Sequence, residues 1–163
     1  MLTTDGGLLF AFQDGHYVVK FIGDVRLTLC STIDQHLRSM LCRDDVSDTL
    51  IDLTETTNID STSLGLIAKL AVKSAKCDMP RPTIVSTNPD ITKILYAMGF
   101  DHIFLLLEEL PTSKKDLTEV PFVQESDDEV RDKIIEAHRI LINLNDKNRD
   151  EFKGLVEVLE CNG

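Results

Sequence analysis

Strand-like and helix-like segments alternate through residues 8–107 of this chain, and that alternation limits the folds it can form. Asp14-Gly15 separates two apolar, β-branched and aromatic runs, 8–12 and 16–22, which predicts a β-hairpin. After the hairpin, the apolar spacing predicts helices at 28–41, 64–75 and 88–98 and strands at 49–53, 83–86 and 103–107. This order of elements requires a mostly parallel or mixed sheet with helices packed against it, which is the α/β class.

The composition changes after Glu108, where the alternation ends. Residues 111–121 are typical of a linker, and an acidic run at 125–129 precedes two helical stretches, each with one apolar face. The apolar residues are Val130, Ile134, Ile135, Ala137, Leu141, Ile142 and Leu144 in the first stretch and Phe152, Leu155, Val156 and Leu159 in the second. We therefore divide the chain into an α/β domain, residues 1–110, and a linker with a C-terminal helical extension, residues 111–163.

Something has to cover the apolar faces of these two C-terminal helices. They can dock on the α/β domain, pack on each other, or pair with a second chain or a partner. The sequence is therefore compatible with a monomer and with a homodimer through the C-terminal helices.

The chain is acidic, with 28 Asp and Glu residues against 17 Lys and Arg residues and a formal net charge of -11. Such a field repels phosphate backbones and anionic lipid surfaces, so we expect a protein partner, no nucleic acid and no membrane. No apolar run approaches the ~20 residues of a spanning helix. Four cysteines without a C-x-x-C pair suggest neither a zinc site nor a redox motif, and we expect a cytoplasmic protein.

Three consecutive hydroxyl residues, Ser61, Thr62 and Ser63, lie between a predicted buried strand and a predicted helix. The first N–H groups of a helix lack partners inside the helix, and Asp60 is the best candidate to cap them. Ser61 then falls in the first turn, and we expect its hydroxyl to face solvent. The alternative is that these residues act only as caps, a role that stabilises a helix by ~1 kcal/mol.

The segment D-S-T-S-L-G at residues 60–65 resembles the D-S-[ST]-G-L-G signature of STAS domains, the family of anti-sigma factor antagonists. The resemblance covers about residues 8–107 and includes Gly23-Asp24 after the hairpin. It implies a mixed sheet with helices mainly on one face, followed here by the C-terminal extension. Two positions depart from the family: Ser63 replaces a glycine, and Arg26 replaces an acidic residue.

The resemblance also implies a partner-switching cycle. A serine kinase, often the anti-sigma factor itself, phosphorylates the serine after the aspartate, which is Ser61, and only the unmodified form binds its partner. The expected partner is an anti-sigma factor or a serine kinase/phosphatase regulator protein, with no cofactor and no metal. The residues that we assign to partner contact are Asp24, Asp60, Ser61, Thr62, Ser63, Leu64 and Gly65.

Other functions have less support in the sequence. An enzyme needs convergent side chains, yet the four histidines fall on separate predicted elements, and we expect each of them at the surface or half-buried. These are His16, His36, His102 and His138. A receiver-type phosphoacceptor would use Asp52 in a central strand, but only fragments of the rest of that site appear. A small-ligand sensor or a structural adaptor without phosphorylation remains the alternative.

Overall fold

The computed structural model describes residues 6–41, 43–110 and 116–162. Its β-strands are β1 (Gly7–Gln13), β2 (His16–Val25), β3 (Asp48–Ile59), β4 (Thr83–Val85), β5 (Leu105–Leu107) and β6 (Thr118–Glu119). Its α-helices are α1 (Cys30–Leu41), α2 (Ser61–Lys76), α3 (Pro89–Ala97), α4 (Asp127–Ile142) and α5 (Asp146–Cys161). Two short 3-10 turns, Leu27–Leu29 and Phe100–His102, complete the described structure.

The strands form one mixed sheet in the order β5-β4-β3-β2-β1-β6. β1 and β2 are antiparallel and are joined through Asp14 and Gly15, both with positive φ, as the predicted hairpin requires. β3, β4 and β5 run parallel to β2, and each parallel connection contains a helix. The predicted α/β fold with a mixed sheet is therefore confirmed.

β3 is longer than the sequence indicates. The prediction ended the strand at residue 53, but pairing with β2 continues to Val25 opposite Ile59, through two register irregularities. The polar residues that follow the predicted strand therefore extend it, because the end of β2 supplies backbone partners for them. This extension places Asp24 opposite Asn58, two residues before the junction of β3 and α2 at Asp60.

Two other boundaries differ from the prediction. The last parallel strand is limited to Leu105–Leu107, because Ile103 ends a 3-10 turn and the Phe104 N–H donates to the Phe100 carbonyl of that turn at 2.8 Å. Within the predicted linker, Thr118 and Glu119 form β6, which pairs antiparallel with β1 at the sheet edge. Linker residues 111–115 lie outside the described residues. The division at residue 110 stays a prediction.

The C-terminal extension docks on the domain. α4 packs on α2 and also contacts α1, and α5 packs back on α4. Between the ends of α2, residues Thr62–Ala71 are all buried, which is typical of a helix covered on both sides. Ala137 and Leu141 of α4 and Phe152 of α5 join the domain core. No helix within the described ranges is long and apolar enough to cross a membrane.

Candidate functional site at the start of helix α2

Asp60 fixes the start of α2, as predicted. Its backbone is extended (φ -89°, ψ 170°), and its Oδ1 accepts a hydrogen bond from the Ser63 N–H at 2.9 Å. Its Oδ2 accepts from the Leu27 N–H at 2.6 Å, and its own N–H donates to the Val25 carbonyl at 3.0 Å. One carboxylate therefore caps α2 and also ties the helix start to the residues that follow β2.

Ser61 is the first residue of α2, and its hydroxyl contacts the C-terminal extension. Its Oγ lies 2.8 Å from Nε2 of His138 on α4. Nδ1 of the same ring lies 2.7 Å from the Ile134 carbonyl oxygen. A carbonyl oxygen can only accept, so Nδ1 carries a proton, and in the neutral imidazole Nε2 accepts from the Ser61 hydroxyl.

This contact corrects two expectations. The Ser61 hydroxyl, expected to face solvent freely, is half-buried and hydrogen-bonded, and His138, expected at the surface or half-buried, is only 1% exposed. His138 also packs against Phe152 of α5, with the ring centroids 5.0 Å apart. The physical reason is that α4 crosses the start of α2. Ser61 and His138 are 77 positions apart in the sequence, so no local sequence pattern predicts their contact.

At Gly65 the backbones of α2 and α4 approach each other closely. A Cβ on Gly65 would lie 2.3 Å from the Ala137 carbonyl oxygen and 2.6 Å from the Ala137 Cβ. Only a glycine on one helix opposite a small residue on the other permits this approach. Gly65, which we predicted as a partner contact, therefore contacts α4 in this structure.

Charged groups link the next turn of α2 to α4, and α4 to α1. Lys69 is only 6% exposed, and its Nζ donates to Asp34 of α1 at 2.9 Å and to Glu136 of α4. Lys133 of α4 lies 2.8 Å from Glu125 and 3.8 Å from Asp34. Burial opposes the charge on Lys133, but its hydrogen bond to Glu125 and the two nearby carboxylates outweigh this effect and raise its pKa.

The other predicted contact residues divide into a buried and an accessible group. Thr62, Ser63 and Leu64 are buried, because α2 lies between the sheet and α4. Their assignment to partner contact stays a prediction. Ser63 Oγ, where the family has a glycine, has no hydrogen-bond partner among the described residues. Asp24 and Asp60 are half-buried and border solvent.

Arg26 changes the charge at the end of β2. Its Nε lies 2.6 Å from Oδ2 of Asp24, and its side chain is largely exposed. Oδ1 of Asp24 is buried without a hydrogen-bond partner among the described residues. The arginine therefore offsets part of the negative charge of the Asp24 and Asp60 pair, where a second acidic residue would have increased it.

Asp52, the candidate receiver-type acceptor, has a carboxylate that is bound within the sheet. It is buried in β3, and its Oδ1 accepts from both the backbone N–H and the hydroxyl of Thr54, at 2.8 and 2.6 Å. Its Oδ2 lies 3.9 Å from Nζ of Lys20 on the neighbouring strand. These contacts satisfy the carboxylate inside the sheet, and nothing in them favours a phosphoacceptor role.

The family of the chain follows from comparison with known proteins. The model of the STAS domain family matches residues 9–115. This chain belongs to the STAS domain family. The match ends before α4 and α5, so Ser61 lies inside the family region and His138 outside it. A search of curated proteins returns no match.

Solved structures with this fold include anti-sigma factor antagonists. One from Mycobacterium paratuberculosis is 19% identical, with a TM-score of 0.55 over 67% of this chain and 91% of that chain. SpoIIAA in its unphosphorylated form is 13% identical, with a TM-score of 0.52 over 63% of this chain and 87% of that one. The Bacillus cell fate determinant SpoIIAA in the phosphorylated form gives the same identity and TM-score and is covered to 92%. At these identities, the likeness establishes the fold.

Proposed function

We propose that this protein is a partner-switching regulator of the anti-sigma factor antagonist type. In its unphosphorylated form it binds an anti-sigma factor or a serine kinase/phosphatase regulator protein, and phosphorylation of Ser61 releases that partner. The observation that carries the proposal is the position of Ser61: it is the first residue of a helix in a STAS domain, directly after the capping Asp60, and it is half-buried at the edge of the accessible surface.

The local electrostatics support release by phosphorylation. A phosphate adds about 1.5 to 2 negative charges and three acceptor oxygens, and the start of a helix tolerates it because the helix dipole is positive there. The domain can therefore stay folded when Ser61 is modified. A partner surface pressed against the phosphate, near Asp24 and Asp60 on a chain of net charge -11, would be repelled and desolvated.

The surface around Ser61 offers groups that a partner can contact. Leu27 is 44% exposed, and Arg26, Thr57 and Asn58 are exposed beside it. They form a small apolar and polar patch next to the start of α2. A patch of this composition fits a protein surface better than it fits a nucleic acid.

The comparisons support the same function. Structures with this fold carry the description of anti-sigma factor antagonists, and one of them is described in both an unphosphorylated and a phosphorylated form. The domain fold is therefore compatible with both states of a serine switch. We extend that cycle to this chain because its Ser61 occupies the signature position.

The test requires the partner, which is captured from the native cell, identified and purified. Ser61→Ala is expected to bind the partner at least as tightly as the wild type, and Ser61→Asp is expected to weaken binding by about a hundredfold, since a charge opposed at an interface costs a few kcal/mol. Both variants should stay folded, with Ser61→Ala less stable by about 1–3 kcal/mol because it leaves the buried Nε2 of His138 without its donor. The matched control is Ser126→Asp, which adds the same charge at the start of α4 and keeps an N-cap residue. Equal binding by Ser61→Ala and Ser61→Asp would refute the switch.

One observation favours the alternative of a small-ligand sensor. A cavity of about 340 Å³ lies at the opposite end of α1 and α2 from Ser61, and Tyr17, Met40, Leu70 and Ser74 are among its lining residues. The Tyr17 hydroxyl is buried without a hydrogen-bond partner among the described residues. Native mass spectrometry of the protein from its own cell tests this function. A mass that includes a bound small molecule would support the sensor function. A mass equal to that of the polypeptide alone would count against it.

A further inference from the structure

Three neighbouring residues of α4 contact one face of α2. Ser61, Gly65 and Lys69 are spaced four residues apart, so they lie along one side of α2. His138 contacts Ser61, Ala137 lies against Gly65, and Glu136 pairs with Lys69. We call this side of α2 the α4-covered face. It begins at the residue on which the proposed function depends.

We propose that α4 occupies in cis the surface that the partner uses, so that α4 must leave the α4-covered face before a kinase or a partner reaches Ser61. This proposal rests on the proposed function, because it takes Ser61 to be the residue whose phosphorylation controls partner binding. The region that matches the STAS family ends at residue 115, so α4 is an element added to that region, although its Ala137 and Leu141 pack into the domain core.

Two polar contacts between α4 and α2 can break without leaving a buried charge unpaired. Glu136 is exposed at 46% of its side-chain surface, so its pair with Lys69 is screened by water on one side and is weak. Lys69 keeps its buried partner Asp34 on α1 when α4 leaves, so the lysine is not stranded without a counter-ion. When α4 leaves, the Ser61 hydroxyl likewise replaces its hydrogen bond to His138 with one to water.

The same contacts explain how the modification state of Ser61 acts on α4. The Ser61 Oγ that donates to the buried His138 cannot donate once it is esterified to phosphate. The added group also needs space where α4 now lies, because His138 is 1% exposed and packs on Phe152. Phosphorylation of Ser61 therefore requires the open form.

The first experiment measures opening without any partner. Ser61→Cys is introduced into the full chain, and a small maleimide is the probe of the new thiol. Cys42 and the exposed Cys77 and Cys161 are replaced by serine so that they do not react with the probe. When reclosing is fast, the labelling rate is proportional to the population of the open form. Adding Glu136→Lys, which places a like charge beside Lys69, is expected to raise the labelling rate about fivefold to tenfold.

The matched control is Glu151→Lys, the same charge reversal at an exposed residue of α5 that makes no ion pair among the described residues. It should leave the labelling rate within about twofold of the parent. Ala137→Glu, which places a charge at the close approach to Gly65, should bring labelling near the rate of a free thiol. The proposal would be overturned if the new thiol of the Ser61→Cys chain without an α4 substitution reacted with maleimide as fast as a free thiol. It would also be overturned if neither Glu136→Lys nor Ala137→Glu changed the labelling rate.

The second experiment uses the purified partner and chains with Ser61 intact. Glu136→Lys should bind the partner more tightly than the wild type, by about the factor seen in labelling, because less of the protein is closed. Unchanged affinity despite faster labelling would overturn competition between α4 and the partner. Competition between α4 and the partner would also be overturned if Glu136→Lys formed a dimer in which the two copies exchange α4. Failure of the proposed function is seen separately, as equal binding by Ser61→Ala and Ser61→Asp.

Discussion

Replacing Gly65 with alanine tests the close approach of α2 and α4 directly. The new Cβ would lie 2.3 Å from the Ala137 carbonyl oxygen, whereas ordinary contact begins at 3.4 Å, so the two backbones must separate by roughly 1 Å. Such overpacking against rigid backbone costs about 1–3 kcal/mol. The alanine also favours the helix by about 1 kcal/mol over glycine. The expected net effect of Gly65→Ala ranges from none to a loss of about 2 kcal/mol.

Gly154 supplies a matched control within the same chain. It lies in the interior of α5, and a Cβ placed on it has nothing within 4 Å. Gly154→Ala should therefore show the helix-propensity gain of about 1 kcal/mol alone. Gly65→Ala should be less stable than Gly154→Ala by about 1–3 kcal/mol.

The assay is urea unfolding followed by far-UV circular dichroism, together with hydrogen exchange of the α4 amides. Gly65→Ala should lose exchange protection in α4 and keep it in the strands of the sheet. If Gly65→Ala instead gains about as much stability as Gly154→Ala, with α4 protection unchanged, the docking of α4 described above is wrong.

Three further substitutions give measurable outcomes. Asp60→Ala removes the acceptor for the Ser63 and Leu27 N–H groups and should lower the free energy of unfolding by about 2 kcal/mol in urea titration; no loss would refute the double cap. Tyr17→Phe removes a buried, unpartnered hydroxyl and should raise this free energy by about 1 kcal/mol, and a lower value would refute that. Burial lowers the pKa of His36 from 6.5, so wild-type stability should fall as pH drops below about 6.5, and more steeply than that of His36→Phe; equal slopes would contradict this.

Local patterns in the sequence predict most of the α/β domain. The Asp14-Gly15 turn specifies the hairpin, and the capping Asp60 specifies the start of α2. The helix spacing of the apolar residues also identifies α4 and α5 correctly as helices. These features depend on neighbours within a few residues, and the sequence displays them directly.

The environment of Ser61 depends on long-range packing, which the sequence does not display. His138 reads as one polar residue in an apolar helical stripe, and nothing local assigns it to a serine 77 positions away. The apolar stripe shows that α4 needs a cover but does not say which one. Gly65 opposite Ala137 is the signal that could have been used, because a glycine inside a strong helix usually marks a close contact.

The extension of β3 has a similar explanation. Residues 54–58 are polar and read as a loop, yet β2 continues alongside them as far as Val25 and supplies partners for their backbone groups. Strand pairing thus overrides the local composition. As a result, Asp24 lies opposite Asn58, near the start of α2.

The central claim is that the phosphorylation state of Ser61 decides whether a partner docks at the start of α2. The most direct measurement is phosphosite mapping of the free and the partner-bound fractions of this protein, isolated from its native cell. We predict phosphate on Ser61 in the free fraction and none in the bound fraction. Equal occupancy of Ser61 in both fractions, or phosphate on Thr62 in place of Ser61, would contradict the account.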